Sequence, residues 1–133
     1  MHSKNINVFI LFLSVILLIS CTSNPNPGTF LPDKCRLQPG IDCNDHKSTY
    51  DQIELLLVNG IRHDLSSIIV TAENCGSTNT PSNLINGATG QFTIKCNPKL
   101  SGNKYKGEIN VSYKTSENGI SHVNSGELIA VLK

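Results

Sequence analysis

The side chains of this 133-residue chain with the capacity for chemistry are five cysteines, Cys21, Cys35, Cys43, Cys75 and Cys96, and the histidines His46, His63 and His122. Asp45 precedes His46 and Asp64 follows His63. A histidine of this kind could serve as a base for Ser66, Ser67 or a cysteine if the two came within hydrogen-bond reach. No G-x-S-x-G, H-E-x-x-H or glycine-rich phosphate loop accompanies them. The histidines therefore read as solvated or turn-supporting groups, the chain as non-enzymatic, and no cofactor is implied. A metal site of four thiolates would call for close cysteine pairs, about two to four residues between members. The tightest spacing beyond Cys21 has seven intervening residues, Cys35 to Cys43, so the even set of Cys35, Cys43, Cys75 and Cys96 reads as two disulfides of an exported protein.

Cys21 belongs to a different element. Residues 1–7 carry Lys4 and His2, an apolar run follows from Val8 to Ile19 broken only by Ser14, and Ser20-Cys21 closes it. This is the layout of an export signal, 1–20, and the run is shorter than the roughly 18 to 20 apolar residues of a spanning helix. Leu18-Ile19-Ser20-Cys21 is similar to a lipobox, the bacterial and archaeal lipoprotein signal. That resemblance implies cleavage before Cys21, lipidation of its thiol and attachment to a membrane at the extracellular face. The competing readings are ordinary cleavage, for instance after Ser23 with Cys21 discarded, and a retained N-terminal helix.

Residues 21–34 hold Pro25, Pro27 and Pro32 among small polar residues, an extended linker of about 3 Å per residue. Removing 1–20 leaves 113 residues, enough for one domain, here 35–133. That part has no Trp and builds its core from Ile, Leu and Val. Lys4 is the one charge removed, leaving ten basic against ten acidic residues; with no basic stripe, nucleic acid is not a partner.

The periodicity beyond Cys35 is that of strands. Strands are expected over Ile41–Ser48, Gln52–Val58, Leu65–Asn74, Gln91–Cys96, Lys104–Thr115 and Ile120–Leu132, the last bulged at Gly126, with a short edge strand over Asn83–Asn86 inside a loop from Gly76 to Gly90. Asn118-Gly119 supplies hairpin chemistry. Six or seven strands at this spacing predict an all-β fold, a single immunoglobulin-like β-sandwich. Strands alternating up and down would bring Cys75 to Cys96, and Cys35 and Cys43 flank the Pro39-Gly40 turn. Cys35–Cys43 and Cys75–Cys96 are thus favoured over the two other pairings, with loop-closure contributions of roughly 2.6 and 3.4 kcal/mol.

Asn110-Val111-Ser112 fits the N-glycosylation acceptor pattern, with Asn110 on the face opposite Ile109 and Val111. The polar loops 59–64, 76–90 and 114–119 lack an aromatic cluster for sugars, leaving Tyr50, Tyr105 and Tyr113. Taken together, Cys35, Pro39-Gly40-Ile41-x-Cys43, Asn59-Gly60, Cys75, Phe92-x-Ile94-x-Cys96, Tyr105-x-Gly107, Tyr113, His122 and Gly126 form a pattern that resembles small secreted archaeal proteins of the pilin-like type. The resemblance implies a disulfide-bearing sandwich and a cell-surface role in a filament or adhesin. Archaeal pilins keep a long apolar helix behind a basic and a small residue; Ser3-Lys4-Asn5 and the proline-rich stretch depart from that. The reading is therefore a membrane-anchored surface lipoprotein that presents its domain to a protein or glycan, with self-association through an exposed strand edge a further use. The alternatives are a pilin-like filament subunit and a small secreted hydrolase or inhibitor.

Overall fold

The computed structural model describes residues 32–115 and 119–133, and the account below concerns these. The expected signal segment 1–20, Cys21 and most of the expected 21–34 linker lie outside the described residues. Nine strands and no helix occur: β1 (Lys34–Leu37), β2 (Ile41–Ser48), β3 (Gln52–Asn59), β4 (Leu65–Ala72), β5 (Gly76–Ser77), β6 (Ser82–Leu84), β7 (Thr89–Lys95), β8 (Lys104–Thr115) and β9 (Ser121–Val131). One sheet runs β1-β9-β8-β4-β5, with β6 also on β4; the other runs β2-β3-β7. All strand pairs are antiparallel. With β2, β3 and β7 in one layer and β4, β8 and β9 in the other, this is the immunoglobulin-like sandwich order. A parallel bridge from Ser48 to Leu132 ties the end of β2 to the other sheet.

The alternation written in the sequence builds the core. Ile53, Leu55 and Leu57 of β3, Phe92 and Ile94 of β7, and Ile41 of β2 form one inner face. Ile68, Val70 and Ala72 of β4, Tyr105, Ile109 and Val111 of β8, and Leu128, Ala130 and Leu132 of β9 form the other. Side chains of alternate residues point to opposite sides of a strand, so Glu54, Leu56 and Val58, and likewise Lys106, Glu108 and Asn110, face outward.

Several elements differ from the sequence expectation, and β1 and β5 are strands that the sequence does not announce. Gly126 is not bulged: the β8–β9 register runs unbroken from Lys104↔Val131 to Lys114↔Ser121. The glycine is needed for another reason, because a Cβ there would fall on the Arg36 carbonyl of β1. The bulges lie instead in β2, where Asn44 is the extra residue between Cys43 and Asp45, and in β4, where the register shifts around Ser67, whose φ is 53°. The β4 strand stops at Ala72, and Asn74, with φ of 58°, turns the chain toward β5.

Both disulfides form as expected. Cys35–Cys43 spans 5.8 Å between Cα atoms and Cys75–Cys96 spans 4.2 Å. Each links one sheet to the other: the first joins edge strand β1 to edge strand β2, the second joins the β4–β5 turn to the end of edge strand β7. The sandwich is thereby closed covalently along both of its lateral sides.

Candidate interaction surface

The fold brings together Cys35, Cys43 and His46 and distributes the other histidines and the serines expected to do chemistry. Asp45 Oδ1 accepts the backbone N–H of His46 at 2.8 Å, and Asp64 Oδ1 accepts that of Asn86 at 2.8 Å. These carboxylates therefore shape a strand and a loop. Ser66 Oγ donates to the Lys114 carbonyl at 3.5 Å, and the Ser67 N–H donates to Asn83 Oδ1 at 3.4 Å. His122 stacks on Tyr113, ring centroids 5.4 Å apart. His46 is the one histidine brought beside cysteines, Cys35 and Cys43.

What the fold does assemble is the outer face of the larger sheet. Cross-strand partners share a face, so the register gives its rows directly. Lys34, Ile129 and Lys106 form one row and Arg36, Glu127 and Glu108 the next. Thr71, Asn110 and Ser125 form the third, and Ile69, Ser112 and Val123 the fourth. Ile129 is only 4% exposed although it points outward. Glu127 and Glu108 stand directly opposite each other, a repulsive arrangement. Lys34 Nζ offsets it by bonding Glu127 Oε2 at 3.0 Å, and Lys106 lies 4.0 Å from Oε1. The Lys34 hydrogen bond and charge hold the Glu127 carboxyl below the usual carboxylate range. A shallow groove of about 590 Å³ runs past these groups, lined by Glu73, Lys106, Gly107, Glu108, Ser125, Gly126 and Glu127.

The other half of the face is hydroxyl, amide and apolar. Ser125 Oγ donates to Asn110 Oδ1 at 2.6 Å, so the glycosylation candidate is a half-buried member of a central polar ladder. Val123 and, beyond the strand, Ile120 are 60% and 57% exposed. Glycine and tyrosine pairing supports this sheet from below. The Tyr105 ring lies where a Cβ on Gly107 would go, and its hydroxyl donates to the Glu73 carbonyl at 2.6 Å. Burial, with the Glu73 charge adding to it, pushes the Tyr105 phenol up to about 12.

One structural residue escaped the sequence reading. Asn59 is fully buried, not an exposed turn residue. Its Nδ2 donates to the His63 and Leu84 carbonyls at 2.8 and 3.0 Å, and its Oδ1 accepts the Ile61 N–H at 3.0 Å. It therefore fixes two loops at one end of the sandwich. An Asn-Gly pair signals a turn, and only burial reveals the second role.

No family model, curated protein or solved structure matches this chain.

Proposed function

We propose that this protein is a non-enzymatic lipoprotein of the cell surface, anchored through Cys21, held off the membrane by residues 22–34, and presenting its sandwich to a protein or glycan partner. The observation that carries the reading is the oxidised state of Cys35, Cys43, Cys75 and Cys96 in two cross-sheet disulfides. Such bonds persist in exported proteins, and their pairing leaves Cys21 alone, in the lipobox-like sequence. A single acyl chain gives marginal attachment and two give a stable one, which is what diacylglyceryl modification of the thiol supplies.

The presenting surface is the open face around Asn110, Ser112 and Val123. Its mix of hydroxyl, amide and small apolar groups suits a neutral polar ligand more than a charged one.

The anchor is tested by the mass of the N-terminal peptide from membrane-extracted protein and by Cys21→Ser. The expected result is a lipidated Cys21, with the variant left unprocessed or released. Unchanged membrane partitioning of a processed variant refutes the anchor, and ordered polymers built on a retained helix would replace this reading with the filament one. The face is tested with Val123→Asp, which is expected to lower binding to cell envelopes or neutral glycans at least about tenfold. A glycan on Asn110, visible as added mass on its peptide, would assign binding to the three-stranded sheet instead.

A further inference from the structure

Cys43 and His46 are three residues apart on β2, a spacing that sends side chains to opposite faces of a regular strand. The bulge at Asn44 cancels that. Cys43 pairs with Leu57 and His46 with Leu55, and Leu55 and Leu57 both point into the sandwich. Both residues are therefore turned to the same side, toward Cys35 on β1. One sulfur from each cysteine and a ring nitrogen of His46 all lie within 4.8 Å of one another, and all three residues are half-buried. Among the described residues, this is the one group of three side chains with metal-binding atoms so close together. Bulges recur where a strand must re-aim a side chain, and here the re-aimed side chain is the histidine.

We propose that Cys35, Cys43 and His46 form a site for a thiophilic divalent cation, Zn²⁺, which opens when the Cys35–Cys43 disulfide is reduced. A dithiol reductant supplies two electrons and two protons. The bond between the two cysteine sulfurs breaks, a disulfide forms within the reductant, and two thiols result. Zn²⁺ then displaces both thiol protons to solvent and takes a lone pair from neutral His46. Two thiolates balance the ion's charge, and water fills the fourth position.

The fit is chemical and geometric. Thiolate and imidazole are the ligands zinc prefers, at about 2.3 and 2.0–2.1 Å, which places ligand atoms roughly 3.5–3.8 Å apart around a tetrahedral ion. The sulfurs need only part to that distance by rotation of their side chains. The ion would tie β1 to β2 where the disulfide does now, so the edge keeps its staple in either redox state.

The experiment uses the full-length chain in detergent, reduced with a phosphine and titrated with Co²⁺ and then Zn²⁺. The expected result is one Co²⁺ per chain with near-ultraviolet thiolate-to-cobalt absorption, displaced by Zn²⁺. Cys43→Ser abolishes the absorption, and His46→Ala weakens affinity by at least the roughly 10- to 100-fold that loss of an outer partner already costs. If the reduced chain loses its β-sheet circular dichroism, Zn²⁺ restores it in the wild type and fails to in His46→Ala. Absence of binding, absorption that survives Cys43→Ser, equal affinity in His46→Ala, or failure of Zn²⁺ to restore structure each overturns the site.

Discussion

Replacing Tyr105 with Phe removes one oxygen from the interior and nothing else. The ring stays against Gly107, and only the volume of the hydroxyl oxygen, the Tyr105 atom nearest that glycine, is vacated. What is lost is the hydroxyl's 2.6 Å bond to the Glu73 carbonyl, in a residue that is 4% exposed. A neutral hydrogen bond contributes about 1 kcal/mol net, and leaving a buried partner short of its donor adds to that; the expected loss is about 1–2.5 kcal/mol. With a urea m-value near 1–1.5 kcal/mol/M for a domain of this size, the midpoint falls by about 1–2 M. The alkaline limb gives a second, independent reading. The folded phenol titrates at about 12 against an ordinary value of 10.0, so its contribution is complete below pH 10 and is lost as pH rises through 12. That rise sets a ceiling of about 2.7 kcal/mol, and solvent screening near the domain's end reduces this to about 1–2. Urea unfolding under non-reducing conditions, run from pH 7 to 12, should show wild type and Tyr105→Phe converging above pH 10. A midpoint difference below about 0.2 M at pH 7, or curves that stay parallel to pH 12, would refute the assignment.

Asn59→Ala removes three hydrogen bonds from a fully buried position and is expected to cost about 2–4 kcal/mol, read by the same urea assay; amide exchange should accelerate in the 61–63 and 84–88 loops together. Gly126→Ala drives a Cβ into the Arg36 carbonyl, so β1 must lift from β9 at a cost of about 1–3 kcal/mol, with exchange of the β1 amides raised first; an unchanged melting temperature would show that β1 yields freely. Lys34→Ala should bring the Glu127 carboxyl back up toward its usual range in a carbon-detected NMR titration, because the Lys34 hydrogen bond is the leading cause of its depression. That depression stabilises the fold above the ordinary carboxylate range and the benefit is lost as pH falls.

The sequence was most legible where a strand's own alternation decides its state. The bounds of β2 and β8 coincide with the expected Ile41–Ser48 and Lys104–Thr115, and the inward sets of β3, β4, β7, β8 and β9 follow from period-two patterning alone. β1 and β5 were illegible for the same physical reason. Neither Lys34–Leu37 nor Gly76–Ser77 is long enough to carry a period, and each is a strand because a neighbour, β9 or β4, supplies its hydrogen bonds. The disulfide pairing was reachable because chain direction limits which cysteines can meet. The position of His46 was not. Only the bulge at Asn44 puts it beside Cys43, and nothing in Asp-Cys-Asn-Asp-His announces an extra residue in a ladder. The outer face was equally hidden, since the rows that join Thr71, Asn110 and Ser125 depend on β4, β8 and β9 becoming neighbours.

The first disulfide also sets how the domain bears load. Any pull arriving from the N-terminal side enters at Lys34, the first residue of β1, and meets a covalent link at the next residue, Cys35. Peeling β1 from β9 like a zipper would ordinarily break one hydrogen-bonded pair at a time at low force. Here tension passes after a single pair through the sulfur bridge into β2. That strand pairs with β3 along Ile41 to Ser48, so force is shared by a ladder in the opposite sheet, and residues 36–42 are shielded as a slack loop. The domain is thus wired to resist traction from its N-terminal end.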